Sequence, residues 1–378
     1  MLEGLAAFAA ERGWKVLHFC PPKGARRDYL VRLAASWNAL GIVEDCGVEQ
    51  TMPLPSGGLG VPFVCVDLSP PKAEALMASE RKAGLRSIGF VNADDELFVK
   101  MAADELLSHD FSSYAYVSSY YRRHWSERRR EAFRHAVADS GGDFREFDGR
   151  RQETGDAEVV RRLGSWLKEL PKPCGLLAAN DRIAELVLSA ARFSGVSVPD
   201  MVSVIGIDND EMLCESVSPS LTSVQTDFAS GGYLAGRLIS DIIAGKPLCD
   251  KPLRYGARCI VHRLSTRRLK RSMPSVRGAL EAIHRHGVEG MSAADVLPLL
   301  GGSRRSAEKR FRAATGKSIL EEIIDVRFKK LLTLLEQSRM PLGSLAGHAG
   351  FTSENQLQRQ FKARFGMTLS EYRRKSRR

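Results

Sequence analysis

Up to about Ile260 the chain alternates short apolar runs with stretches of helical period. The runs Lys15–Phe19, Gly41–Val43, Phe63–Val66, Ser87–Val91, Tyr114–Val117, Gly175–Ala179 and Ser203–Ile207 read as strands. Between them Tyr29–Leu40, Glu96–Leu107, Glu127–Ala138, Glu158–Glu169 and Arg182–Phe193 read as helices, and Gly231–Ile243 follows the Pro219-Ser220 turn as another. Apolar strands separated by amphipathic helices predict a parallel sheet with helices on both faces. Past Val276 no strand pattern survives. The helices expected there are Arg277–His286, Ala293–Leu300, Arg304–Ala314, Ile319–Gln337, Leu342–Ala349, Glu354–Phe365 and Ser370–Arg374. The join is basic and turn-rich, with Arg267, Arg268, Lys270 and Arg271 before Met273-Pro274-Ser275. The expected organisation is therefore an α/β domain over 1–265, a linker over 266–275 and an all-α domain over 276–378.

Charge sharpens that division. The chain carries a net charge of +11, yet residues 266–378 hold 24 Lys/Arg against 10 Asp/Glu, a net of +14, which leaves −3 for residues 1–265. A basic domain attached to a near-neutral one points to a polyanion partner for the basic part. With 43% hydrophobic and 27% charged residues, the composition is that of a globular chain, and no run is apolar enough for a membrane span. The seven cysteines include no Cys-x-x-Cys pair, and Glu3 and Glu11 spoil the N-terminus as a signal peptide. A cytoplasmic location without a membrane partner is expected.

The helical third repeats itself at an offset of fifty residues. Ser303 falls on Ser353, Lys309 on Arg359, Phe311 on Phe361, Arg312 on Lys362 and Gly316 on Gly366. In each copy a helix ends in a turn containing glycine, and a serine then stands where an N-cap belongs. Ser353 with Gln356 matches a capping box. The following helix buries Ala307 and Phe311, or Leu357 and Phe361. Its other face shows Arg304, Arg305, Glu308, Lys309 and Arg312, or Asn355, Gln356, Arg359 and Lys362. Arg suits guanine, Asn and Gln suit adenine, and Lys and Arg neutralise phosphates, so the pattern is that of a doubled helix-turn-helix.

Gly350-Phe351-Thr352-Ser353, Leu357-x-Arg359-x-Phe361-Lys362, Phe365-Gly366-Met367-Thr368 and Tyr372-Arg373 resemble the signature of AraC/XylS-type DNA-binding domains. The resemblance covers about Val276 to Arg374. It implies two helical lobes joined by the long helix Ile319–Gln337, with Arg304, Arg305, Glu308, Lys309, Asn355, Gln356 and Arg359 facing the groove. Two departures stand out. Leu369 occupies a usual proline position, and Pro298 interrupts the scaffolding helix of the first lobe and is expected to shorten it.

Two apolar strands end in polar pairs, Gly175–Ala179 in Asn180-Asp181 and Ser203–Ile207 in Asp208-Asn209. Ligands of open parallel sheets sit at such C-terminal strand ends. An N-cap for Asp181 and a turn for Asp208-Asn209 are the plainer alternatives. These segments, with Pro219–Val224 and Gly231–Ile243, resemble LacI/GalR-type effector domains, which have a two-sheet periplasmic-binding-protein-like fold. Such a domain ahead of an AraC-type module is the arrangement of XylR-like regulators, and Trp125-Ser126, Arg129 and Ala132-Phe133-Arg134 resemble that group too. The resemblance implies a sugar effector, xylose for example, held by Asp95, Arg129, Asn180 and Asp208 with Trp125, Asp181 and Asn209 close by. Carboxylates, amides and guanidinium groups suit vicinal hydroxyls, and an aromatic ring covers a sugar's apolar face. Helix packing remains an equal account of Trp125. Arg122, Arg123, Arg128 and Arg130 leave an acidic or phosphorylated effector open.

Domains of this type open with a strand that here is missing before the helix at Leu2, and a start codon placed too late is the favoured explanation. No catalytic constellation, metal site or cofactor motif is found: Thr315-Gly316-Lys317-Ser318 lacks the glycine and strand of a phosphate-binding loop. The reading is a ligand-controlled regulator, an activator by preference. Its expected partners are double-stranded promoter DNA, a sugar, a second copy of itself and RNA polymerase. One rival is a regulator that has lost effector binding and keeps the first domain for dimerisation. Another is an enzyme or solute-binding protein on the same fold.

Overall fold

The computed structural model describes the chain except residues 20–26, 47–60, 83–86, 121–122, 148–155, 250, 269–273, 339 and 377–378. Arg122, and Lys270, Arg271 and Met273 of the join, fall outside the described residues. The chain divides into two compact units: Met1–Cys214 with Leu221–His262, and Glu215–Ser220 with Arg263–Arg378. The second unit thus begins at Arg263 and also takes in the six residues Glu215–Ser220 from the earlier stretch.

The first unit runs α1 (Leu2–Glu11), α2 (Arg27–Ser36), β1 (Ile42–Asp45), β2 (Phe63–Val66), α3 (Pro70–Lys82), β3 (Ile88–Ala93), α4 (Asp95–Leu107), β4 (Ser113–Val117), α5 (His124–Asp139) and β5 (Phe144–Phe147). It continues with α6 (Asp156–Glu169), β6 (Cys174–Ala178), α7 (Asp181–Ser194), β7 (Val202–Ile207), α8 (Glu211–Ser216), β8 (Thr222–Thr226), α9 (Phe228–Ile243), β9 (Leu253–Tyr255) and β10 (Ala257–Val261). Four strands form a parallel sheet in the order β1-β2-β3-β9. Six form a second sheet, β10-β8-β7-β6-β4-β5, parallel except for β10. The central strands β2, β3, β4, β6 and β7 are buried along their whole length, as strands covered on both faces must be. This is the expected two-sheet α/β architecture.

Lys15–Phe19, read as a strand, forms none. A strand needs a ladder partner for its N–H and C=O groups. Beside this segment β1 ends its sheet, and between them lies an apolar cavity of about 470 Å³ lined by Leu5, Val16, Phe19, Trp37, Ile42 and Ile239. Helix α1 lies flush on α9: a Cβ built on Gly4 or Gly232 would fall 1.7 or 1.8 Å from a backbone oxygen across the interface.

In the second unit α10 (Pro274–His286), α11 (Ala293–Leu300), α12 (Arg304–Thr315), α13 (Ile319–Gln337), α14 (Leu345–His348), α15 (Glu354–Phe365) and α16 (Leu369–Ser376) form two lobes. Val276, Leu280, Ile283, Val296, Phe311 and Ile323 belong to the first core, and Phe328, Leu331, Leu335, Leu345, Leu357 and Phe361 to the second. Helix α13 serves both, its early residues in one core and its later ones in the other. Its 19 residues span about 28 Å at 1.5 Å per residue. The expected shortening at Pro298 does not occur: α11 continues to Leu300, its start fixed by Asp295 accepting from the Ser292 N–H and hydroxyl, both at 2.8 Å. Leu369 is equally harmless, since Thr368 and Glu371 cap α16 reciprocally and Leu369 is buried.

Candidate functional site

The strand ends of the first unit gather carboxylates. Asp67 follows β2, Asp95 opens α4 after β3, Asn180 caps α7 after β6, and Asp208 follows β7. Arg129 of α5 binds this group together. Its Nε donates to Asp95 Oδ1 at 2.9 Å and its Nη1 to the Ala179 carbonyl at 2.7 Å. Arg128 Nε lies 3.6 Å from the other Asp95 oxygen. The Trp125 ring sits 4.8 Å from the Arg129 guanidinium, one helical turn away, and Phe98 lies 5.5 Å from it on another side. Asn180 donates to the Asp208 carboxylate while its Oδ1 accepts from the Ile183 N–H.

Backbone strain concentrates here. Asp67, Asp208 and Asn209 have φ values of 55°, 116° and 52°. Side-chain-bearing residues seldom adopt these, and surrounding bonds hold them: the Asp208 N–H donates to Val224 O and the Asn209 N–H to Ser223 Oγ. Burial pushes the Asp208 carboxyl up to about 7; Arg129 opposes the rise, and Asp181 and Asp95 add to it. Burial likewise raises Asp67 to about 6, against hydrogen bonds from the Tyr255 hydroxyl and the Ala93 N–H, both at 2.7 Å. The crevice thus holds carboxylates close to their titration point near neutral pH.

Asp95, Arg129, Asn180, Asp208 and Trp125 are therefore brought together. Asp181 is not free to join them: only 2% exposed, it accepts from the Ser223 hydroxyl (2.6 Å), the Asp210 N–H (2.8 Å) and the Cys214 thiol (3.4 Å). Asn209 is anchored through its N–H to Ser223. Of the nearby arginines, Arg130 is occupied by Glu127 and Glu131. Sequence reading passed over Asp67 and its partner Tyr255. The signal was present, since Asp67 directly follows the apolar run Phe63–Val66 as Asp208 follows Ser203–Ile207.

In the helical unit Ser303 and Ser353 cap the expected helices, accepting from the N–H groups of Ser306 (3.4 Å) and Gln356 (3.2 Å). Arg304, Arg305, Glu308, Lys309 and Arg312 are exposed on α12, with Arg304 Nε 3.0 Å from Glu308 Oε1. On α15 Asn355, Arg359 and Lys362 are exposed. Gln356 differs from expectation. It is half-buried, and its Oε1 accepts from the N–H and hydroxyl of Thr352, one residue before the N-cap, so the box with Ser353 is not closed. Arg310 turns back to the Leu300 and Gly301 carbonyls and fixes the turn ahead of α12.

The periplasmic binding protein-like domain model matches residues 103–266, and the helix-turn-helix domain model matches 299–375. The xylose operon regulatory protein of Haemophilus influenzae is 27% identical over 287 residues, covering 75% of this chain and 74% of that one. The one from Escherichia coli K12 is 27% identical over 66% of this chain and 64% of its own length, so the match spans about two thirds of that relative. A structure of the xylose-binding transcription activator XylR aligns with a TM-score of 0.59 and 22% identity, covering 98% of this chain and 93% of that chain. The chain thus joins a periplasmic binding protein-like domain to a helix-turn-helix domain and is similar in this to the xylose operon regulatory proteins. Arg129, Asn180 and Asp208 of the crevice fall within the periplasmic binding protein-like match, and α12 and α15 within the helix-turn-helix match. No helix among the described residues is long and apolar enough to cross a membrane.

Proposed function

We propose that this chain is a sugar-responsive transcription regulator, an activator, whose first unit closes on a pentose such as xylose and thereby sets the grip of α12 and α15 on promoter DNA. It acts as a homodimer that engages RNA polymerase. The observation that carries this reading is the assembled quartet Asp95, Arg129, Asn180 and Asp208 at the strand ends, beside the Trp125 ring. These groups offer paired acceptors and donors to vicinal hydroxyls, and a flat face for ring C–H groups. Among the described residues Asp67, Asp95 and Asp208 outnumber Arg128 and Arg129 there, which favours a neutral sugar over a sugar phosphate. The two relatives are xylose operon regulatory proteins, which supports the same effector class. A domain kept only for dimerisation would have no need of strained, mutually bonded polar residues at its strand ends.

The test pairs two measurements on the full chain. Thermal shift and calorimetry against D-xylose, other pentoses, hexoses and sugar phosphates should find a neutral sugar that binds. Footprinting on promoter fragments should then show protection that changes with that sugar. Binding of sugar phosphates alone, or protection indifferent to every sugar, would refute the reading.

A further inference from the structure

We infer that the six-residue excursion Glu215–Ser220 is the element through which the sugar crevice controls the helical unit, with Asp181 as its anchor; this rests on the function proposed above. The excursion leaves α8 and returns to β8. The Leu221 N–H donates to the Cys214 carbonyl at 2.9 Å and closes it at the base. Asp181 holds both stems. One oxygen accepts from Asp210 N–H and the Cys214 thiol on the outgoing side, and the other from the Ser223 hydroxyl on the returning side. Ser223 Oγ also accepts the Asn209 N–H, 3.1 Å away. Asn180, next to Asp181 in the chain, donates to Asp208. A ligand gripped by Asp208 and Asn180 therefore pulls on groups one residue removed from the knot that holds the stems.

The far end of the excursion is part of the helical unit's own fabric. Ser218 Oγ donates to Glu281 of α10 at 3.0 Å, and Glu215 pairs with Arg263 at 2.5 Å. The Ser265 N–H donates to the Ser220 carbonyl at 2.9 Å. Arg263, Leu264 and Ser265 are 4%, 5% and 0% exposed, and Leu264 packs into the first lobe's core with Val276, Leu280 and Ile283. Two residues on, Arg267 grips Glu322 of α13 through two hydrogen bonds, at 2.5 and 2.9 Å. Displacement of the excursion is thus delivered to α10 and to the helix that carries both lobes. Packed contacts of this kind carry small shifts onward because a close-packed interior deforms little. Asp181 serves as a positioning residue, not as a sugar contact.

The experiment measures DNA affinity with and without D-xylose for the wild-type full chain and two variants, Ser218→Ala/Glu281→Ala and Glu281→Gln. Wild type should change its DNA affinity with the sugar by a factor within the roughly 5–150-fold usual for coupled sites. The double variant should bind D-xylose and sugar-free DNA within about twofold of wild type, with the sugar-induced change reduced to less than about twofold. Glu281→Gln keeps an acceptor for Ser218 and should retain the response. A double variant that keeps the full response, or a Gln variant that loses it equally, overturns the inference while leaving the function intact. A wild type that ignores the sugar overturns both, and that control alone identifies the case.

Discussion

Arg129 and Asp95 form a nearly water-free ion pair, with side chains 6% and 2% exposed and Nε 2.9 Å from Oδ1. Arg129 also donates to Ala179 O, so a single guanidinium spans the start of α4 and the end of β6. Removing one partner of a buried pair strands the other charge, at a cost of about 3–5 kcal/mol. Arg129→Ala should therefore lower the unfolding free energy of the first unit by that order in urea titrations. Asp95→Asn, which keeps an acceptor for Nε, should cost clearly less. Equal losses would mean that the pair carries no special weight.

Asp208 makes the first unit pH-sensitive. Its folded value of about 7 lies above the ordinary aspartate value of 3.8, with burial as the main cause. The folded state thus binds more protons than the unfolded one between those limits, and stability falls as pH rises from about 4 to about 7. Asp67, at about 6, adds a slope of the same sign. Asp208→Asn should leave stability at pH 4 little changed and raise it at pH 8 by on the order of 1 kcal/mol or more. Thermal unfolding across pH 4–8 measures this, and the same substitution should abolish sugar binding. A variant that parallels wild type at every pH would remove Asp208 as the source.

The two-sheet domain and the doubled helical module were legible because their signals are local. Strand runs such as Gly175–Ala179 and Ser203–Ile207 are buried throughout, and Ser303 and Ser353 sit at the helix starts their spacing implied. Edge elements were not. Ala257–Val261 is short and partly exposed, and takes strand form only through its antiparallel pairing with Thr222–Thr226, 31 residues or more away in the chain. Lys15–Phe19 shows the converse, an apolar run with no ladder to join. At the crevice, Asp95, Arg129, Asn180 and Asp208 were found from strand ends and resemblance. The hydrogen bonds that bury Asp181, by contrast, run to Ser223 and Cys214, which its own neighbourhood in the sequence cannot reveal.

Glu322 should make the helical unit acid-labile. It is 3% exposed, and although burial alone would raise its carboxyl, hydrogen bonds from His284 and Arg267 hold it at about 2. A carboxylate depressed from 4.5 contributes stability that is complete above the ordinary value and lost as pH falls towards 2. Glu322→Ala should cost about 2 kcal/mol or more at pH 7, in line with charge-assisted hydrogen bonds, and clearly less at pH 2.5, where the contribution is partly lost. Helix content followed by circular dichroism from pH 7 to pH 2 checks both the size and the sign.

The two candidate reading helices should fail in different ways when single cations are removed. Arg359 stands exposed on α15 beside Asn355, four residues apart on one face, in the geometry suited to base edges. Lys309 stands exposed on α12 next to the Arg304–Glu308 pair, where its flexible ammonium is suited to neutralising a phosphate as a point charge and not to bidentate reading of a base. Arg359→Ala should weaken binding to a specific promoter site by about 1–3 kcal/mol, relax the base preference at one position and leave random-duplex affinity little changed. Lys309→Ala should weaken specific and random duplex alike and reduce the slope of log affinity against log salt by about 1. Electrophoretic mobility shifts on specific and scrambled duplexes at several salt concentrations separate the two outcomes. If both substitutions lower both affinities equally, α15 contributes charge without reading bases, and sequence preference must come from α12 or from the shape of the DNA.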